Sequence, residues 1–355
     1  MIKKFIYTIL VLISLVIIVS CSKSGETASN PDDYYLGICI HSLDNEFWAQ
    51  EAKGAELFAS KVSNLQSRIL TSDSDDNKLL QGIRDFIAEH GEKAIFVVDP
   101  SSAAVTANVA EICEEAGCYV TILTHRAEGL YPKDFSKFVI HMTENDLNSG
   151  YITAKALFDS IGGKGTVCEL YGQLGNDAAT ARHAGFEKAL KEYPNIKVLD
   201  MQVASWSQEE ALKITETWLA KYGNDGINAI FCANDTMAIG AIEALKQAGL
   251  NGKIKVNGTD GIKAAYDAIK DGDMVCTIAN DGYLLMGYGA AYAYYAATGK
   301  INVNDMTPEE RMVYTKTSFI DASNVDEMYE KFITGTPDYD YSNLEFAIDG
   351  YQPQP

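Results

Sequence analysis

The sequence predicts an α/β fold built on parallel strands, and three features predict it. Apolar runs of strand length recur along the chain, helical periodicity fills the intervals between them, and the two halves contain similar numbers of strand–helix units. Runs so uniformly apolar suit strands covered on both faces, and right-handed crossovers then set successive helices on either side of a sheet. The 355 residues, 47% of them hydrophobic, suffice for two domains with cores of their own.

In chain order, the first segment is "MIKKFIYTILVLISLVIIVS" at residues 1–20, where Lys3 and Lys4 precede an apolar stretch that ends in a small residue. That is the three-part pattern of an export signal. Ile18-Val19-Ser20-Cys21 resembles a bacterial lipoprotein cleavage box, which implies removal of residues 1–20 and lipid on Cys21. The other reading is an uncleaved anchor, since the apolar run approaches the roughly 20 residues that span a bilayer. The cysteine's position and the polar segment after it favour the lipoprotein. Residues 21–33, with "SKSGETASNPDD", are small and polar without apolar periodicity, so a flexible tether is expected. Either reading leaves the remainder outside the cytoplasm.

Strands are then expected at "YYLGICI" (34–40), "AIFVV" (94–98), "YVTIL" (119–123), "KFVIHM" (137–142), "GTVCELY" (165–171), "IKVLDMQV" (196–203), "NAIFCA" (228–233), "KIKVNG" (253–258) and "MVCTIA" (274–279). A helix is expected over 177–192, where Ala181, Gly185 and Ala189 line one stripe and Arg182, Phe186 and Leu190 the next. Asp177, Ser207, Asp235 and Asp281 stand at helix starts, where a short side chain accepts from free backbone N–H groups.

In open α/β sheets a ligand sits beyond the carboxyl ends of the strands, beside helix N-termini. The polar residues at those handovers are His41, Asp44 and Asn45, Asp99, His125 and Arg126, Asn234, Asp260 and Asn280. Phe47, Trp48 and Trp206 fall near the same ends. The set contains no nucleophile, and no Ser-His-Asp or Cys-His arrangement accompanies it.

The formal charge of −20 becomes −22 when Lys3 and Lys4 leave with the signal, a balance that repels phosphate backbones and excludes a nucleic-acid partner. Cys39, Cys168, Cys232 and Cys276 lie inside strand-like runs, where a thiol acts as a small hydrophobe. Cys113 and Cys118 flank a helix-to-strand turn, which permits a disulfide without requiring one. No Cys/His spacing suggests zinc, "SIGGKGTV" at 160–167 has no run of carboxylates for calcium, and "GKGT" lacks the rest of a phosphate loop. No metal and no cofactor are expected.

Eight pieces, each weak alone, stand in family order: "DNEFW" (44–48), "VVDPSSAAV" (97–105), "THR" (124–126), "ATARHAGF" (179–186), "ASWSQEEA" (204–211), "ANDTMAIGAIEAL" (233–245), "GTDG" (258–261) and "TIAND" (277–281). Together they resemble the ribose/galactose type of periplasmic binding protein, from about Tyr34 to about Ile333. The resemblance implies two similar Rossmann-like lobes joined by a hinge of three crossings: 34–143 with 281–312, and 144–280 with 313–345. It also implies sugar contacts at Asn45, Phe47, Trp48, Asp99, His125, Arg126, Arg182, Trp206, Asn234, Asp260 and Asn280. His41 joins them from its handover position. The chemistry agrees, because a pyranose offers hydroxyls around its edge and C–H groups on its faces, which Asn, Asp and Arg forks and flat aromatic walls can meet.

Each candidate has a plainer reading. Asp235 is expected to cap its helix rather than touch ligand, and Asp260 before Gly261 reads as a cap or as a contact. His41 and His125 are compatible with hydrogen-bonded structural imidazoles. Several relatives carry a carboxylate or amide where His125 stands, so the choice between pentose and hexose stays open. Arg182 lies on an inward stripe near a helix N-terminus, where the dipole disfavours positive charge, so a carboxylate such as Asp99 or Asp260 is expected opposite it. Trp218 is expected in the core. A sugar-responsive repressor of the same fold is excluded by the export signal and the missing DNA-binding headpiece. What remains is a monomeric receptor that closes on a monosaccharide and presents it to an ABC permease or, alternatively, binds a polyol, nucleoside or furanose signal and docks a chemoreceptor.

Overall fold

A computed structural model describes residues 33–335 and 337–353. The expected signal at 1–20, Cys21 and the tether through residue 32 lie outside the described residues. The chain first lays down β1 (Tyr34–Ile40), α1 (Glu46–Ser60), β2 (Leu65–Thr71), α2 (Asp76–His90), β3 (Ala94–Val98), α3 (Thr106–Ala116), β4 (Val120–Leu123) and β5 (Phe138–Thr143). Next come α4 (Asp146–Ser160), β6 (Lys164–Tyr171), α5 (Asp177–Leu190), β7 (Asn195–Val203), α6 (Gln208–Tyr222), β8 (Ala229–Cys232), α7 (Asp235–Gln247), β9 (Lys255–Val256), α8 (Lys263–Lys270) and β10 (Cys276–Asn280). The last elements are α9 (Gly282–Ala297), β11 (Met312–Thr315), β12 (Thr317–Asp321), α10 (Val325–Tyr329) and β13 (Ile348–Tyr351).

Two sheets result, one per lobe. The first has the order β13-β11-β5-β4-β3-β1-β2 and is parallel except where β13 runs against β11. The second runs β7-β6-β8-β9, all parallel. Its ladder continues onto β10 through Val275 N–H to Val256 O (2.8 Å) and Gly258 N–H to Cys276 O (2.9 Å), and β12 then pairs antiparallel with β10. The hinge consists of three crossings, between β5 and α4, β10 and α9, and β11 and β12.

Two of the expected lobe boundaries shift. β11 at 312–315 belongs to the first sheet, so the third crossing falls at Lys316 rather than after residue 312. The end of the chain, expected on the second lobe through residue 345, returns to the first. There Tyr341 packs on Tyr288 of α9 (centroids 5.0 Å apart) and β13 covers the edge of β11. Both moves hide surface that would otherwise be open: an apolar helix face and a row of unpaired backbone groups.

The strands missing from the sequence reading are those without uniform burial. β2 is an edge strand in which only Leu65 is buried, while β11, β12 and β13 are four or five residues long and carry polar side chains. The helix expected over 177–192 ends at Leu190. Ser207 and Asp281 cap their helices as expected, but at the other two starts the preceding asparagines, Asn176 and Asn234, do so. Cys113 and Cys118 are buried free thiols, and Trp218 is core, 1% exposed.

Close helix contacts fix where site residues stand. At Gly150 a Cβ would fall 2.1 Å from the Arg182 carbonyl oxygen, so α4 and α5 meet backbone to backbone. Phe158, Phe186 and Phe231 fill the space beneath, with ring centroids 5.7 and 4.7 Å apart. Arg182 is thereby directed from α5 toward the strand ends rather than into solvent.

Candidate functional site

The carboxyl ends of the two sheets face each other across a cavity of about 450 Å³, its mouth included. From the first lobe His41, Asn45, Phe47, Trp48, Asp99 and His125 line it, with Thr124; from the second come Arg182, Trp206, Asn234 and Asp260, with Asn176 and Ala178. Ten of the twelve candidates therefore share one cavity.

Two do not line it. The Arg126 guanidinium turns away, donating to Leu130 O (2.6 Å) and lying 4.9 Å from the Tyr131 ring, while its backbone N–H donates to Asp177 Oδ2. Asn280 is buried in the hinge crossing, its backbone N–H on Asp260 O (3.0 Å) and its amide atoms without a protein partner. Thr124 and Asn176 escape the sequence reading because they stand in loops without periodicity, and Ala178 because it is an apolar residue in the first turn of α5.

Local structure explains the placements. Asn45 caps α1, its Oδ1 accepting from Phe47 N–H (2.9 Å), which swings Phe47 and Trp48 onto the cavity side. His41 stacks on Trp48 with centroids 4.3 Å apart. Among the described residues six non-glycine residues have positive φ, and three of them line this site, Thr124 (59°), Trp206 (62°) and Asp260 (129°), with Ser205 (49°) directly before Trp206. Non-glycine residues in such conformations gather at functional sites because the surroundings must hold them there. The Trp206 indole also requires Gly172, where a Cβ would fall 2.2 Å from the ring.

The roles of Asn234 and Asp235 differ from expectation. Asn234 caps α7 by accepting from Met237 N–H (2.9 Å) and also donates to Asp260 Oδ2 (3.3 Å). Asp235, fully buried, caps nothing on its own helix. It accepts from Gly261 N–H and Ile262 N–H and lies 2.7 Å from Thr277 Oγ1, tying the start of its own helix to the 260–262 loop and to β10.

Arg182 organises the second lobe's wall. Its Nε donates to Asp146 Oδ1 (2.7 Å), and its Nη1 to Ala233 O (3.0 Å) and Asp260 Oδ1 (3.2 Å). The expectation of a carboxylate opposite it is met by Asp146 and Asp260; Asp99 is not among its partners. His125 is driven down to about 3, by burial first and then by His41, His141 and Arg182. Asn176 Oδ1 accepts from Ala179 N–H, so its amide nitrogen faces His125 Nε2 at 3.0 Å and donates to it. The imidazole is therefore neutral with its proton on Nδ1, a donor without a protein partner.

Buried carboxyls surround these groups. Asp260 is pushed up to about 6 by burial, against the pull of Arg182. Glu144, at the first hinge crossing, and Asp235 are each pushed up to about 8 by burial and by the charges of Asp146 and Asp260 respectively. A carboxyl raised in the folded state binds more protons there than in the unfolded chain, so stability falls as pH rises through the window between the two values. Below about pH 6.5 this is opposed by His125 and His141, both held near 3, which favour folding as pH rises. From pH 6.5 to 8 the opposition is gone, and His183, raised by Glu169, acts with the carboxyls. The melting temperature is expected to fall over that interval, and Glu144→Gln to make the fall smaller. A melting curve series in which Glu144→Gln falls as steeply as the parent would remove Glu144 from this account.

A family model described as periplasmic binding protein domain matches residues 36–301. The chain belongs to that family, in its type I, sugar-binding branch. It is 26% identical over 329 residues to a xylitol-binding protein of Mycolicibacterium smegmatis, covering 93% of this chain and 91% of the other. Among solved structures, a twin-arginine translocation pathway signal protein from Burkholderia phytofirmans superposes with TM-score 0.87 at 32% identity, over 91% of this chain and 99% of that one. An ABC transporter periplasmic solute binding protein from Actinobacillus succinogenes, with bound D-allose, gives 0.74 at 29%, over 83% and 100%. Membership of the family implies a location outside the cytoplasm and a role in capturing solute rather than transforming it.

Proposed function

We propose that the cleft captures a monosaccharide or a polyol of similar size and that the liganded form is handed to an ABC importer, the chain being held to the membrane by lipid on Cys21. The observation that carries this reading is the convergence of ten strand-end residues from both lobes on one cavity. Donors (His125 Nδ1–H, Arg182), acceptors (Asp99, Asp260) and aromatic walls (Phe47, Trp206) are the groups a polyhydroxyl ligand needs. The relatives named for xylitol and found with D-allose favour a test panel of pentoses, hexoses and pentitols. Closure follows if ligand contacts are complete only when both lobes engage, which gives the closed state its higher affinity.

A thermal-shift screen should reveal at least one such compound that raises the melting point, since binding to the folded state alone stabilises by mass action. With that compound, Trp206→Ala should weaken affinity by about 1–3 kcal/mol. Unchanged affinity would mean that the indole is packing only. Lipidation has its own test: Cys21→Ser should move the protein from the membrane fraction to the soluble one, and a variant still sedimenting with membranes would exclude the lipid anchor.

A further inference from the structure

The first lobe's wall holds more acceptors than its donors can serve. His41, Asp99 and His125 are each 2% exposed, and each brings one nitrogen or carboxylate oxygen within 4.8 Å of the others. His41 Nδ1, His125 Nδ1, Asp99 Oδ1 and both oxygens of Glu51 have no hydrogen-bond partner in the protein. Glu51 is fully buried on α1, one turn beyond Phe47, and its carboxyl adjoins that of Asp99. A sugar in the cavity accounts for Asp99 and the imidazoles, which line it. It does not account for Glu51, which lies behind the cavity wall.

We propose that this wall is a binding site for a divalent transition-metal cation, with His41, Asp99 and His125 as ligands and Glu51 packed behind Asp99. The inference goes beyond sugar capture and does not require it. The Asp99 carboxylate has no guanidinium to meet it, because that of Arg182 is engaged elsewhere, with Asp146, Asp260 and Ala233 O. A divalent cation supplies the matching charge. Two imidazoles with one carboxylate and an open position form a donor set that zinc accepts at about 2.0–2.2 Å. The nitrogen ligands select such an ion over calcium and magnesium, which take oxygen shells.

Both rings are also held by hydrogen bonds, His41 from its own lobe and His125 from across the cleft. His41 Nε2 is 3.0 Å from Pro100 O and 3.4 Å from Asp99 Oδ2, and His125 Nε2 is 3.0 Å from Asn176 Nδ2. Pro100 O can only accept, so His41 carries its proton on Nε2 and leaves Nδ1 with a lone pair, the state of a metal-ready imidazole. His125 has its proton on Nδ1 instead, so loading requires that proton to leave or the Asn176 bond to break. Asn176 comes from the opposite lobe, so opening of the cleft frees His125 Nε2.

The test is a calorimetric titration of the chelator-stripped protein with Zn²⁺ alone. One equivalent is expected, and His41→Gln and His125→Gln should each weaken it at least about tenfold, the smaller end of what even outer-shell changes cost. His183→Gln on α5, outside the cleft, should not. Zinc binding by the parent no tighter than by a His41→Gln/His125→Gln double variant would overturn the proposal. Should those variants fail to fold, the Co²⁺-loaded parent should show shifted exchangeable proton resonances from two imidazoles, and their absence would overturn it equally. Sugar titrations run in EDTA keep the two readings apart. Sugar binding there, with no zinc site, removes the metal and leaves the receptor; a zinc site without any sugar binding does the reverse.

Discussion

Arg182→Ala is expected to lose detectable ligand binding and about 3–5 kcal/mol of folding stability together. The side chain is 5% exposed and is the shared donor for Asp146, Asp260 and the Ala233 carbonyl. Its removal takes the cation from two buried carboxyls, leaving Asp260 with Asn234 Nδ2, and takes a donor from the Ala233 carbonyl; breaking a buried pair by deleting one member typically costs that much. Binding is lost by a separate route, because Asp260 then has no cation to fix its position and the cavity has lost its charged fork. Asp146→Asn in the same background separates the two. It removes one of the stranded charges, so part of the stability seen in urea denaturation should return while binding does not. A single Arg182→Ala variant that binds ligand normally would show that the guanidinium serves the fold alone.

How much of this could be read from the sequence depended on burial and on reach along the chain. Strands covered on both faces announce themselves: Ala94–Val98 is buried throughout and reads as one apolar run. Leu65–Thr71 is an edge strand whose Gln66, Ser67 and Arg68 face water, and it carries no such mark. Candidate residues at strand ends are legible because an α/β sheet dictates where its ligand sits, and that suffices to single out Asn234, whereas Asp260 before Gly261 reads equally as a cap until the family resemblance favours contact. Arg126 directly succeeds His125 and shares its handover. Only the backbone turn at Thr124, with φ of 59°, decides which of the two faces the cleft. Glu51 was invisible for another reason. It stands in "EFWAQEAKGA" among residues typical of an exposed helix face, and its burial comes from α9, more than 200 residues later, whose Gly282 lies against it. The two caps were misassigned for a related cause: in Asn-Asp pairs either residue can cap, and the choice was made by the loops that Asp235 holds.

Those loops make Asp235 the more informative of the two residues. Oδ2 accepts from Gly261 N–H (2.6 Å) and Ile262 N–H (3.0 Å), and Oδ1 lies 2.7 Å from Thr277 Oγ1. Thr277 Oγ1 also has the Ile278 carbonyl at 3.4 Å as an acceptor. A neutral acid therefore completes the arrangement, its carbonyl oxygen taking both backbone donors and its hydroxyl giving to Thr277. Burial and the neighbouring Asp260 push this carboxyl up to about 8, in the direction of that neutral form. Asparagine reproduces the pattern, with its oxygen toward the loop and its amide toward Thr277. Asp235→Asn should accordingly cost about 1 kcal/mol or less and flatten part of the stability loss between pH 6.5 and 8. Asp235→Ala strands two buried N–H groups at about 1–3 kcal/mol each, so a loss near 4 kcal/mol is expected. It should also weaken ligand binding, since Asp260 stands in the loop released. Equal damage from asparagine and alanine would mean that the loop needs a negative charge, and the neutral assignment would fall.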